Sequence, residues 1–97
     1  MKHFLIDNTS IAPLPEVEAA TPTHRAFLQT GYDQGVFLYS GPKVPRTGGV
    51  ILARAESLEA LQAFMAADPF VAGKLMETRY VEFNPVKSQP FLNDWLA

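Results

Sequence analysis

The run GVFLYSGPKVPRTGGVILAR, Gly35–Arg54, decides the fold. Val36-Phe37-Leu38-Tyr39-Ser40 is rich in aromatic and branched residues and stops at Gly41-Pro42, and Gly48-Gly49 then opens Val50-Ile51-Leu52-Ala53-Arg54. Two β-forming runs joined by a short polar connection over residues 43–47 predict an antiparallel hairpin. A helix is expected on each side of it. Upstream, Thr21-Pro22 offers a cap followed by proline at a first helical position. Phe27, Leu28 and Gly31 then fall on one face with Tyr32 beside them, and Gly35 supplies the stop. Gly31 has no side chain, so that face can approach a sheet closely. Downstream, Ser57 caps a helix whose apolar stripe is Leu58, Leu61, Phe64 and Met65. Asp68-Pro69 ends it, because the residue before a proline is driven out of helical geometry, and a brief turn from Pro69 finishes at Gly73.

Strands are expected at both ends of the chain: residues 2–8, and Leu75 to Phe83, which Asn84-Pro85 stops. Between the first strand and Thr21, Pro13 and Pro15 argue against a regular element, and Pro22 limits any helical turn over Glu16–Ala20. The order is β-α-β-β-α-β, an α+β domain of ferredoxin-like topology with an antiparallel sheet and both helices on one face. A sheet covered on one face should alternate apolar with polar residues. Val36 to Tyr39 and Val50 to Ala53 do not alternate, which predicts that both faces are covered. Two copies packing sheet against sheet, as a homodimer, satisfy that pattern; the alternative is a C-terminal tail folded back over the open face. Residues 1–84 are expected to form the domain. Residues 85–97, with Phe91, Leu92, Trp95 and Leu96, form a tail that packs on the domain or on a partner subunit.

Composition excludes several classes of function. The chain has 97 residues, 47% of them hydrophobic and 11% aromatic, which fits one folded domain and not a disordered segment. Eight Lys and Arg against ten Asp and Glu leave a net charge of −2, without the basic clustering that nucleic-acid binding requires. The absence of cysteine removes disulfides, thiol nucleophiles and thiolate metal sites. No apolar run reaches the ~18–20 residues of a membrane span, and Phe4-Leu5-Ile6 is too short for a secretory signal. The expectation is a cytoplasmic protein with no membrane or nucleic-acid partner.

Two side chains stand out chemically. Counted from a Thr21 cap, His24 is the third helical residue, on the inward stripe with Phe27 and Leu28. The first-turn amides disfavour a charged ring there, so it reads either as a neutral base or as a core histidine bonded to a backbone carbonyl. Asp68 extends the inward stripe of the second helix beyond Phe64 and Met65. It reads either as the cap of the Pro69 turn or as a functional carboxylate, and two oxygens allow both. Arg46 and Lys43 in the hairpin connection read as solvated charges or as attractors of an anionic substrate. His3, at the start of the first strand, reads as structural. No third residue joins His24 and Asp68 as a metal ligand set.

Thr21-Pro22-Thr23-His24, Gly35, Ser40-Gly41-Pro42, Gly48-Gly49 and Ala67-Asp68-Pro69-Phe70, in this order and spacing, resemble the YciI-like (YCII-related) proteins over roughly residues 2–84. The resemblance implies a ferredoxin-like domain pairing as a dimeric α+β barrel, with a His–Asp pair, here His24 and Asp68, as the active site. The family includes a dehydrochlorinase, and the resemblance and the residues together lead to the expectation of a cofactor-independent enzyme doing general acid–base chemistry of the lyase, dehydrochlorinase or isomerase type on a small aromatic or carbonyl metabolite. Ser40 reads as a hydrogen-bonding group for a substrate or as an ordinary strand-end hydroxyl, Phe70 as a pocket wall or as core, and Gly41 and Gly49 as places where backbone amides approach a ligand oxygen or as turn formers. The alternative is a non-catalytic small-molecule-binding or dimerisation module. The chain departs from the family pattern in a short connection after Gly41-Pro42, in Arg25 where an apolar residue usually follows the histidine, and in the tail after Asn84.

Overall fold

A computed structural model describes residues 1–97. Its elements are β1 (Lys2–Ser10), α1 (Leu14–Asp33), β2 (Phe37–Pro42), β3 (Gly48–Ala55), α2 (Leu58–Met65), α3 (Pro69–Ala72) and β4 (Met76–Phe83). A 3₁₀ turn (Pro90–Leu92) and a last helical turn, α4 (Asn93–Leu96), complete the chain. The four strands form one antiparallel sheet in the order β2-β3-β1-β4. That interleaving, with each helix joining strands separated by a third, is the ferredoxin-like topology expected from the sequence.

Register assigns the two faces. Phe4 and Ile6 of β1, Ile51 and Ala53 of β3 and Phe37 of β2 point to the helices, where Leu61 and Met65 of α2 complete the buried core. Phe4, Ile6, Leu61 and Met65 are wholly removed from water, each worth about 1.5–3 kcal/mol. Gly31 of α1 lies against Phe37: a Cβ on it would fall 2.2 Å from a ring carbon, so the missing side chain is what lets the ring seat there. The cap at Ser57 forms as expected, its hydroxyl accepting from the Ala60 amide at 3.1 Å.

The structure corrects the start of the first helix. α1 begins at Leu14, not Thr21, and runs through Pro22. Pro15 sits in the first turn, where its missing N–H has no intrahelical partner to lose. Pro22 does forfeit one bond, and the Thr21 hydroxyl bonds the Val17 carbonyl instead of capping, at 2.8 Å. The compensation is tertiary, because Val17 is buried with Phe70 and Met76 in a second small core under α1. Consequently His24 stands mid-helix, and the effect of first-turn amides on its ring does not apply.

The lack of alternation in β2 also has a local cause. The β2–β3 register shifts at Leu38, pairing Phe37 with Ala53 but Tyr39 with Leu52. This bulge returns Ser40 to the helix face and sends Tyr39, 62% exposed, to the other. The tail covers one end of that other face. Arg54 of β3 donates to the carbonyls of Gly35 and Trp95, both at 2.8 Å, and lies 3.9 Å from the centre of the Trp95 ring. Beneath it His3 is buried, and burial, the terminal amino group and Arg54 together push its imidazole below the usual histidine range. No helix is long and apolar enough to cross a membrane.

Candidate active site

His24 and Asp68 come together although 44 residues apart in the chain: His24 Nδ1 lies 2.8 Å from Asp68 Oδ1. Local chemistry fixes each. Ala66 closes α2, Asp68 turns into extended geometry before Pro69, and its side chain caps α3 by accepting from the Phe70 amide at 3.0 Å. Capping and the histidine contact therefore coexist, but through one oxygen. Oδ1 serves both partners, while Oδ2 is buried with no hydrogen-bond partner. Asp68 is wholly buried and His24 retains 13% of its side-chain surface, so the carboxylate stands behind the ring. Phe70 stacks on the imidazole, with centroids 3.8 Å apart and planes 12° apart. Burial, and then the nearby charge of Asp68, push the Tyr80 phenol above its usual range.

A carboxylate on Nδ1 selects the tautomer with the proton on that nitrogen, which leaves the Nε2 lone pair available. His24 lines a cavity of about 480 Å³ between α1 and the end of the β2–β3 hairpin that carries its connection. Ser40, Gly41, Gly49 and Phe70 line the same cavity. Ser40 Oγ is held 2.6 Å from Tyr32 Oη, an orientation the bulge at Leu38 makes possible. Of the hairpin cations, Arg46 lines the cavity. Lys43 instead pairs with Asp7 at 2.6 Å and donates to Thr9 at 3.2 Å. No cluster of three or more metal-ligating side chains forms.

Sequence reasoning missed part of the wall. Leu14, Val17, Thr21 and Arg25 line the cavity from the stretch of α1 in and around the unpredicted turns, and Asn8 lines it from β1. Asn8 is 3% exposed and its Oδ1 accepts from the Thr78 hydroxyl at 2.7 Å, which leaves its amide nitrogen as the free donor. The available signal was alternation, because Asn8 continues the face of β1 that carries Phe4 and Ile6.

Residues 1–84 match the YCII-related domain. Among curated relatives, the chain is 39% identical over 77 residues to the proteins called YciI of Escherichia coli and of Shigella flexneri, covering 68% of this chain and 76% of theirs. Among solved structures, it superposes on 5-chloro-2-hydroxyhydroquinone dehydrochlorinase (TftG) of Burkholderia phenoliruptrix, in complex with 2,5-dihydroxybenzoquinone. The TM-score is 0.72 at 22% identity, covering 84% of this chain and 93% of that one, a likeness of fold.

Proposed function

The chain belongs to the YCII-related family, and on that footing we propose that it is a small enzyme transferring protons at His24. The single observation that carries this reading is the 2.8 Å contact between a cavity-facing imidazole and a wholly buried carboxylate. In the proposed step Nε2 accepts a proton from a C–H or O–H of the substrate. The electron pair left behind either expels a leaving group such as chloride, in a lyase, or takes the proton back at another atom, in an isomerase. Asp68 holds the ring in register and stabilises the imidazolium formed. Phe70 offers a flat wall, Ser40 a hydroxyl, and Asn8 an amide donor to a substrate oxygen. A cavity of this size, apolar with a few polar groups, suits a single planar ring with carbonyl or phenolic oxygens. The structural neighbour is named for such a substrate and holds such a molecule, which supports the class.

Two assays test the reading together: chloride release from 5-chloro-2-hydroxyhydroquinone, and deuterium exchange from solvent into ring-sized carbonyl compounds followed by NMR. Turnover in at least one is expected, falling by about 10²-fold or more in Asp68→Asn. If the protein binds 2,5-dihydroxybenzoquinone yet catalyses neither reaction, it is a binding module.

The uncovered part of the sheet, with Leu5, Leu52 and Val81 beside the exposed Tyr39 ring, is proposed as the face of a homodimer. A solution mass of two chains by light scattering is the expected result, and a mass of one chain ends this proposal.

A further inference from the structure

Charge is distributed unevenly around the cavity. None of the chain's ten Asp and Glu residues lines it, whereas two of its eight Lys and Arg do, Arg25 and Arg46. The local sign is thus opposite to the net charge of −2. The two arginines come from different elements, Arg25 from α1 directly after His24 and Arg46 from the β2–β3 connection. Asp68 does not reach the cavity surface. Arg46 has one acidic neighbour, Glu18 on α1, at 3.8 Å, and both side chains are about half exposed. Such a pair is loose and solvent-screened, so a ligand oxygen can replace the Glu18 carboxylate.

We propose that the cavity selects small planar organic anions, with a carboxylate or an ionised phenol or enol at its mouth, and that Arg25 and Arg46 impose this selection. Glu18 is an internal competitor for Arg46. The proposal rests on the cavity being the reaction site and adds the charge class of its substrate. A guanidinium presents a flat fork of N–H donors that matches a carboxylate or a pair of ring oxygens, and two arginines in a cavity lining that holds no acidic residue discriminate by charge. Field lines from the pair are concentrated by the apolar walls of Leu14, Val17, Leu28 and Phe70. Anchoring the anionic end at the mouth leaves the ring between Phe70 and the hairpin, beside His24.

Benzoate and benzamide, nearly the same shape and differing in charge, test the selection by backbone-amide NMR titration at pH 7. Benzoate is expected to bind about tenfold more tightly than benzamide and to shift the amides of Ser40, Gly41 and Gly49. Arg25→Gln and Arg46→Gln should each remove about threefold of that preference, and the double variant nearly all of it. Glu18→Gln should tighten benzoate about threefold and leave benzamide unchanged. Equal affinities in the unaltered protein overturn the selection, as does the absence of cavity shifts with either probe. An unchanged benzoate affinity in Glu18→Gln overturns the competitor role. Turnover is read separately, so intact catalysis without anion preference sinks only this proposal. Intact preference without catalysis sinks only the enzymatic reading.

Discussion

His24→Asn is expected to lower turnover by about 10²–10⁴-fold, the usual contribution of a positioned acid–base group, with little loss of stability. Asparagine is the informative replacement because its amide nitrogen sits close to where Nδ1 was. It can still donate to Asp68 Oδ1 while the nitrogen facing the cavity is gone. Alanine is a poorer choice. It would leave a wholly buried carboxylate with only the Phe70 amide on one oxygen and nothing on the other. Breaking a buried pair in this way costs about 3–5 kcal/mol, which for a domain of this size lowers the melting temperature by roughly 12–40 °C. Lost activity in the alanine variant would then report unfolding as readily as chemistry. The comparison to make is kcat by chloride release or deuterium exchange beside a circular-dichroism melt of the same samples. A fully active asparagine variant removes His24 from the chemistry.

Gly48→Ala is expected to destabilise the protein by about 3 kcal/mol or more, since a β-carbon there meets backbone that no rotamer can move. Gly48 has φ +152°, and its Cβ would lie 1.8 Å from the Asn8 carbonyl oxygen and 3.0 Å from the Thr9 Cα. These belong to the strand it pairs with, so relief requires β1 and β3 to part at the end that lines the cavity. A fall in melting temperature of about 12 °C or more follows. Gly41→Ala is the control, because its Cβ would meet nothing within 4 Å, and its effect should stay within about 0.5 kcal/mol. Equal melting temperatures for the two variants would show that the β1–β3 ladder yields at Gly48.

The two cases also show what can be read from a sequence. The hairpin was legible because β-forming runs met Gly-Pro and Gly-Gly boundaries, and the second helix because Ser57 and Asp68-Pro69 punctuate it. The first two turns of α1 were not. Pro13 and Pro15 read as breakers but stand at the cap and in the first turn, where proline costs no bond. The one bond lost at Pro22 is offset by burial of Val17 against Phe70 and Met76, residues far along the chain. Leu14 and Val17 of the cavity wall were lost with those turns. The bulge at Leu38 left no mark beyond a missing alternation, which is equally the mark of a covered face. His24 and Asp68 were legible as stripe residues, but their meeting depends on how α1 crosses the turn before α3. The sharing of one Asp68 oxygen between a ring nitrogen and a capping amide has no signature in residue types.

The Arg54–Trp95 clasp makes the protein its own optical probe. Trp95 is the one tryptophan in the chain, and it is held in the tail against a guanidinium, on the face of the sheet opposite α1 and α2. Indole emission therefore reports release of the tail before it reports loss of the core. A melt followed by emission and one followed by ellipticity need not coincide, and a gap between them measures how independently the last turn comes away. Because the indole is remote from His24, emission that changes when a ligand fills the cavity would signal strain passed through the sheet.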